Sequence, residues 1–108
     1  MKHTVTCHAF HPLYRNTLRG FAEIRINELR LTIRDVAVPE KGECRWAQLP
    51  AKPMIDKDGV AIRDRDTGKI TYATSLEFDS RAVRAAFSHA VIDAVLRAFP
   101  DALEVEEL

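Results

Sequence analysis

The stretch FAEIRINELRLTIRDVAV, Phe21 to Val38, decides how the chain is read. Ala22, Ile24 and Ile26 fall on one parity while Phe21, Glu23 and Arg25 fall on the other, the signature of a strand with one buried face. Asn27 and Glu28 are turn residues, so the pattern predicts a tight two-residue reversal, after which Leu29, Leu31 and Ile33 resume the buried face. Beyond Ile33 the parity slips: Val36 and Val38 sit on the other phase. One extra residue inserted near Arg34 and Asp35, a β-bulge, restores a common buried face.

Working outward, Val5 to Phe10 alternates in the same way and predicts an N-terminal strand. Pro39 to Gly42 (PEKG) reads as a turn and Cys44 to Leu49 as a short strand holding the only tryptophan, Trp46. A long charged loop follows, in which DKDG and DRDTGK each suit a turn. Ile70 to Phe78 then predicts a last strand. At Asp79 and Ser80 the period changes. DSRAVRAAFSHAVIDAVLRAF offers a cap, many alanines, no internal Gly or Pro, and a stop at Pro100, predicting a helix from Arg81 to Phe99. The expected fold class is α+β: a curved antiparallel sheet of four to five strands with a long charged hairpin loop, then one C-terminal helix.

At 108 residues and 46% hydrophobic content the chain fits one domain, 1–108, with an acidic tail over about 101–108. Sixteen basic and sixteen acidic side chains cancel, so an anionic partner would have to be met by local arrangement. Two cysteines, Cys7 and Cys44, are too few for a secreted disulfide scaffold, and the first residues lack the apolar core of a signal peptide. No run approaches the roughly 20 apolar residues of a membrane helix. The reading is a cytoplasmic protein with reduced thiols.

On the helix, Val83, Phe87, Ala90, Val91, Ala94 and Ala98 form a stripe that can cover the sheet. Ile92, Leu96 and Phe99 lie well round the cylinder from it. This second apolar patch predicts a contact with a dimer partner, another protein or the chain's own tail.

No constellation points to catalysis or to a metal. His3, Cys7 and His11 lie on a strand, where residues four apart are about 13 Å from each other and cannot converge on one ion. His8 belongs to the same apparent cluster. The aspartates at 56, 58, 64 and 66 lack the glycine and glutamate spacing of a calcium loop. No nucleophile elbow, phosphate-binding glycine loop or zinc-protease motif occurs. The expectation is a non-enzyme with no cofactor and no small-molecule substrate.

The basic residues are sharper. A two-residue turn would set Arg25 opposite Arg30, a repulsion that Glu23 or a phosphate backbone could offset. Arg34 extends that face, and Lys52, Lys57, Arg63, Arg65 and Lys69 arm the long loop. Arg45, Trp46 and Tyr72 can supply cationic and stacking contacts.

Taken in order, AEIRINELRLTIRDVAV, RWAQLPAKP, the charged loop, ITYATSLEF and VIDAVLRAF resemble the SpoVG (stage V sporulation protein G, septation regulator) family over Leu18 to Phe99. The most specific pieces are Leu49-Pro50-Ala51-Lys52 and Asp93-Ala94-Val95-Leu96. Relative to that pattern the loop between Met54 and Lys69 is longer, and Phe87 to Ala90 stands where a basic pair is expected, with Arg81 and Arg84 as substitutes. The resemblance implies a small bacterial regulator of transcription and septation, a homodimer that binds DNA or RNA without a cofactor. Candidate nucleic-acid contacts are Arg25, Arg30, Lys52, Arg63, Arg65, Lys69, Arg81 and Arg84. Candidate dimer or partner contacts are Ile92, Leu96 and Phe99. The rival reading is a protein-interaction module, such as a phage or mobile element would encode, using the sheet or helix surface.

Overall fold

The computed structural model describes residues 4–104. The architecture is α+β: a four-stranded antiparallel sheet in the order β1-β2-β3-β4, a separate two-stranded ribbon, and one C-terminal helix. The strands are β1 (Val5–Arg15), β2 (Leu18–Ile26), β3 (Leu31–Lys41) and β4 (Cys44–Arg45). The ribbon pairs β5 (Ala51–Pro53) with β6 (Tyr72–Thr74). The helix α1 runs from Arg81 to Ala98.

The alternation of Phe21 to Ile26 does what its parity predicts. Ala22 and Ile24 are buried, and β1 and β3 flank them through Phe10, Cys7, Val36 and Ile33. The bulge is present: between Ala22↔Val36 and Ile24↔Ile33, β2 advances two residues and β3 three. Asp35 takes up the excess in the left-handed region, φ 59°. Its insertion returns Val36 and Val38 to the core.

The reversal before it differs from the two-residue turn. Asn27–Leu29 form a 3₁₀ turn closed by Arg30 in the left-handed region, φ 52°, with Arg30 N–H donating to the Asn27 carbonyl. The register is therefore Ile26↔Leu31 and Arg25↔Thr32, so Arg25 does not face Arg30 and the expected repulsion is absent. Leu29 and Leu31 end up exposed, because four residues rather than two make the corner. The next reversal also moves, from Pro39–Gly42 to Gly42–Glu43, with Gly42 at φ 63°.

The segment read as a strand from Cys44 to Leu49 pairs only at β4 and through a single bridge, Gln48 to Ala37. Similarly, of Ile70 to Phe78 only β6 is strand, and it pairs in the ribbon rather than in the main sheet. The N-terminal strand is longer than its alternation predicts, running on to Arg15 and a two-residue turn in which Asn16 has φ 55°.

The helix begins at Arg81, where the Ser80 hydroxyl accepts from the Val83 N–H at 3.1 Å, and ends at Ala98 before Pro100. Val91, Ala94 and Val95 are buried, with Phe87, Ala90, Ile92 and Leu96 packed partly against the core. The buried stripe is thus shorter than the expected one and turned toward Val95: Val83 and Ala98, near its two ends, are exposed. After the helix the chain turns back and buries Leu103 at 2% exposure, so the first part of the tail, up to the last described residue, reaches the core. Burying a side chain of this size contributes about 1.5–3 kcal/mol. The core is one cluster of Val5, Ala22, Ile24, Val36, Val38, Ala47, Val91, Ala94, Val95 and Leu103. The radius of gyration of the chain, 15.2 Å, exceeds the roughly 13 Å of a compact chain this long. No described helix is long and apolar enough to cross a membrane.

Candidate nucleic-acid interface

The connection between β4 and β5 carries the site. Trp46 N–H donates to the Pro39 carbonyl, and Gln48 exchanges two backbone bonds with Ala37, at 2.8 and 3.0 Å. Ala47, between them, donates its N–H to the Ser88 hydroxyl at 2.7 Å. Ser88 had no sequence signature. Its role is that of a fixed acceptor tying the connection to the helix, and only the tertiary fold reveals it.

Beside this tie lies an open groove of about 1460 Å³. Its wall runs from Leu18, Phe21, Asp35 and Ala37 on the sheet, past Arg45 to Lys52, to Tyr72, Leu76 and the helix positions Arg81, Arg84, Ser88 and His89. Four cations, Arg45, Lys52, Arg81 and Arg84, line it against two carboxylates, Asp35 and Glu77. Arg45 is partly engaged: its Nε lies 3.3 Å from Glu40, which also stands 3.9 Å from Arg19 Nε. Among the described residues Lys52, Arg81 and Arg84 have no ion pair. Arg81 and Arg84 also occupy the first turn of a helix with no acidic residue there, the end where the macrodipole disfavours cations. Trp46 is half-buried and Tyr72 exposed at the same groove, so flat aromatic faces accompany the charges.

The other expected contacts are elsewhere. Arg63, Arg65 and Lys69 sit on the loop beyond the ribbon and do not line the groove. Arg63 donates to the Gly68 carbonyl at 2.9 Å. Arg25 and Arg30 lie at the hairpin end of β2 and β3, and Arg34 pairs with Glu23 at 2.9 Å. The two loop turns are real. Asp56 Oδ1 accepts from the N–H groups of Asp58 and Val60, and Asp64 Oδ1 from those of Asp66 and Thr67. The bonds from Thr67 and then Asp66 hold the Asp64 carboxyl below its usual range. Of the helix patch, Ile92 and Leu96 are half-buried against the core and only Phe99 is exposed.

His3 lies outside the described residues. Among those described, no group of histidine, cysteine or acidic side chains could hold a metal ion. Burial pushes the Cys7 thiol up, outweighing a lowering from the backbone of Ala9, and Glu23 adds to the rise. It is therefore a half-buried thiol whose thiolate form is disfavoured.

No protein-family model, curated protein or solved structure matches the chain.

Proposed function

We propose that the chain is a small, non-enzymatic, cytoplasmic regulator of the SpoVG kind, which binds DNA or RNA and acts as a dimer. The observation that carries this reading is the meeting of unpaired Lys52, Arg81 and Arg84 around one groove beside Trp46 and Tyr72. A phosphate backbone relieves what is unfavourable there. Two guanidiniums at the positive end of a helix dipole repel it, and an anion seated between them reverses the sign of the interaction. Phosphate contacts supply affinity, while Tyr72, exposed beside these cations, offers a face on which an unpaired base stacks.

The formal net charge of zero does not oppose this, since Lys52, Arg81 and Arg84 are gathered at the groove while the loop aspartates stand away from it, two of them, Asp56 and Asp64, closing turns. The test is fluorescence anisotropy with labelled single-stranded DNA, duplex DNA and RNA across a salt series. Binding that weakens linearly with log salt supports the reading. No binding to any of the three at low salt overturns it. The second reading, a protein-interaction module, then takes its place; the exposed apolar side chains of the loop, Ile55 and Val60 foremost, favour it.

A further inference from the structure

The segment from Ala51 to Glu77 contains no buried residue. At its root is a ribbon of three residues per strand, and two-stranded ribbons of this kind are marginal in water. Beyond the ribbon the shape is held by backbone bonds, Met54 N–H to Thr71 O, Ile62 N–H to Met54 O and Thr71 N–H to Ile62 O, at 2.8 to 2.9 Å. Met54, Ile55, Val60, Ile62, Tyr72 and Leu76 are all exposed, Ile55 and Val60 at 62% and 60%. They are half of the twelve large exposed apolar side chains among the described residues. This arm has the composition of a packed element and no core.

The groove is its complement. Leu18, Phe21, Ala37, Trp46 and Leu49 give it an apolar floor, and at about 1460 Å³ it exceeds the roughly 300–1,000 Å³ of a small-molecule cleft. Lys52, Tyr72 and Leu76 at the root of the arm line it, but no residue from Pro53 to Thr71 does, so the arm leaves its own groove uncovered. A surface that carries both a protruding apolar arm and an apolar groove is self-complementary about a two-fold axis.

We propose that the groove floor is covered by the arm of a second copy of this chain, residues 54–62 above all, in a reciprocal exchange. This rests on the reading of the chain as a dimer and assigns its interface. It moves that interface away from Ile92 and Leu96, which the core already holds, to the arm and groove. Covering the floor leaves Lys52, Arg81 and Arg84, all exposed, free to meet an anion.

Trp46, the only tryptophan, lines the groove and reports on its occupancy. Light scattering and Trp46 emission are followed over a dilution series for the wild type and for the double variant Ile55→Asp, Val60→Asp. Both positions are exposed within one chain, so the sheet and helix keep their circular dichroism. The expected result is a wild-type mass of twice 12.2 kDa, a red shift of Trp46 on dilution, and association weakened by about 100-fold or more in the variant. A wild type that is monomeric at about 100 μM overturns the inference, as does a variant that dimerises with unchanged affinity. Nucleic-acid binding, measured separately, separates the two readings. A monomer that binds DNA or RNA sinks the interface alone, and a dimer that binds neither sinks the proposed function alone. A monomer that gains mass only with a different protein overturns the exchange as well.

Discussion

If phosphates sit at the groove, the cations lining it and the cations of the arm must contribute differently to salt dependence. Two triple variants separate them: Lys52, Arg81 and Arg84 to Ala at the groove, and Arg63, Arg65 and Lys69 to Ala on the arm. Each phosphate contact contributes roughly 0.7 to the log–log salt slope for single strands and roughly 0.9 for duplex DNA. Losing three flattens the slope by about 2 to 3. Between 50 and 200 mM salt, the wild type should then lose about 20- to 40-fold more affinity than the groove variant. The arm variant should change the slope by less than about 1, because its cations stand off the groove and Arg63 is tied to the Gly68 carbonyl. Anisotropy titrations at four salt concentrations measure both. The helix supplies a control on folding: Arg81 and Arg84 oppose the macrodipole at low ionic strength by about 0.3–1 kcal/mol each. Their replacement should leave the melting temperature unchanged or raise it while binding falls. An unchanged slope in the groove variant, or a larger flattening in the arm variant, refutes the assignment of phosphates to the groove.

Gly20→Ala should destabilise the sheet by about 1–3 kcal/mol in a urea melt, since a Cβ there meets the Phe10 ring at 2.5 Å and the His11 carbonyl at 2.6 Å. The ring can rotate but the carbonyl belongs to the backbone, so wild-type stability would contradict this packing. Ser88→Ala should cost about 1–3 kcal/mol and shift Trp46 emission, because the buried Ala47 N–H loses its acceptor. With a thiol reagent near pH 8, exposed Cys44 should react first and Cys7 in a slow phase that denaturant accelerates, burial having raised its pKa. The second arm turn should loosen in acid. The Asp64 pKa is lower folded than unfolded, so its stabilisation is present above the unfolded value, about 3.9, and fades as pH falls through the folded one. The Asp66 and Thr67 amide resonances report it, and Asp64→Asn, which keeps an Oδ1 acceptor, should abolish the titration while holding the turn.

Where burial alone decided structure, the sequence was legible. The parity slip after Ile33 located the bulge to Arg34 and Asp35, because Val36 and Val38 can reach the core in no other register. The helix was legible from its change of period and its Ser80 cap. The corner at Asn27 was misread because two turn residues suit a two-residue hairpin, whereas a 3₁₀ turn recruits Leu29 and Arg30 as well. The helix stripe was misplaced because periodicity gives a face but not how far a partner layer extends beneath it. Val83 belongs to the right period and is exposed. Within the site, Lys52, Arg81 and Arg84 were legible as basic residues near a corner and a helix start. That they share a groove, and that Arg63, Arg65 and Lys69 do not, depends on the path of the ribbon, which no local pattern encodes.

Three features of the single chain are unfavourable in isolation, and all of them touch the groove. Two arginines oppose a helix dipole. An arm with large apolar side chains has no core. Asp35 holds a left-handed backbone, with no partner among the described residues for a carboxylate that lines the wall. Such costs persist only where the surroundings enforce them, and here the enforcing body is the packed unit of β1 to β3, the helix and Leu103. That body needs neither the arm nor the arginines for its core. Ligands of different chemistry offset the separate costs: an anion the first, an apolar second copy the second. Because arm and rim adjoin at Lys52 and Tyr72, ordering one orders the root of the other, so dimerisation and nucleic-acid binding should strengthen each other by the same factor. Measuring the dimer dissociation constant with and without saturating oligonucleotide tests this, and equal constants would mean that the two surfaces are independent.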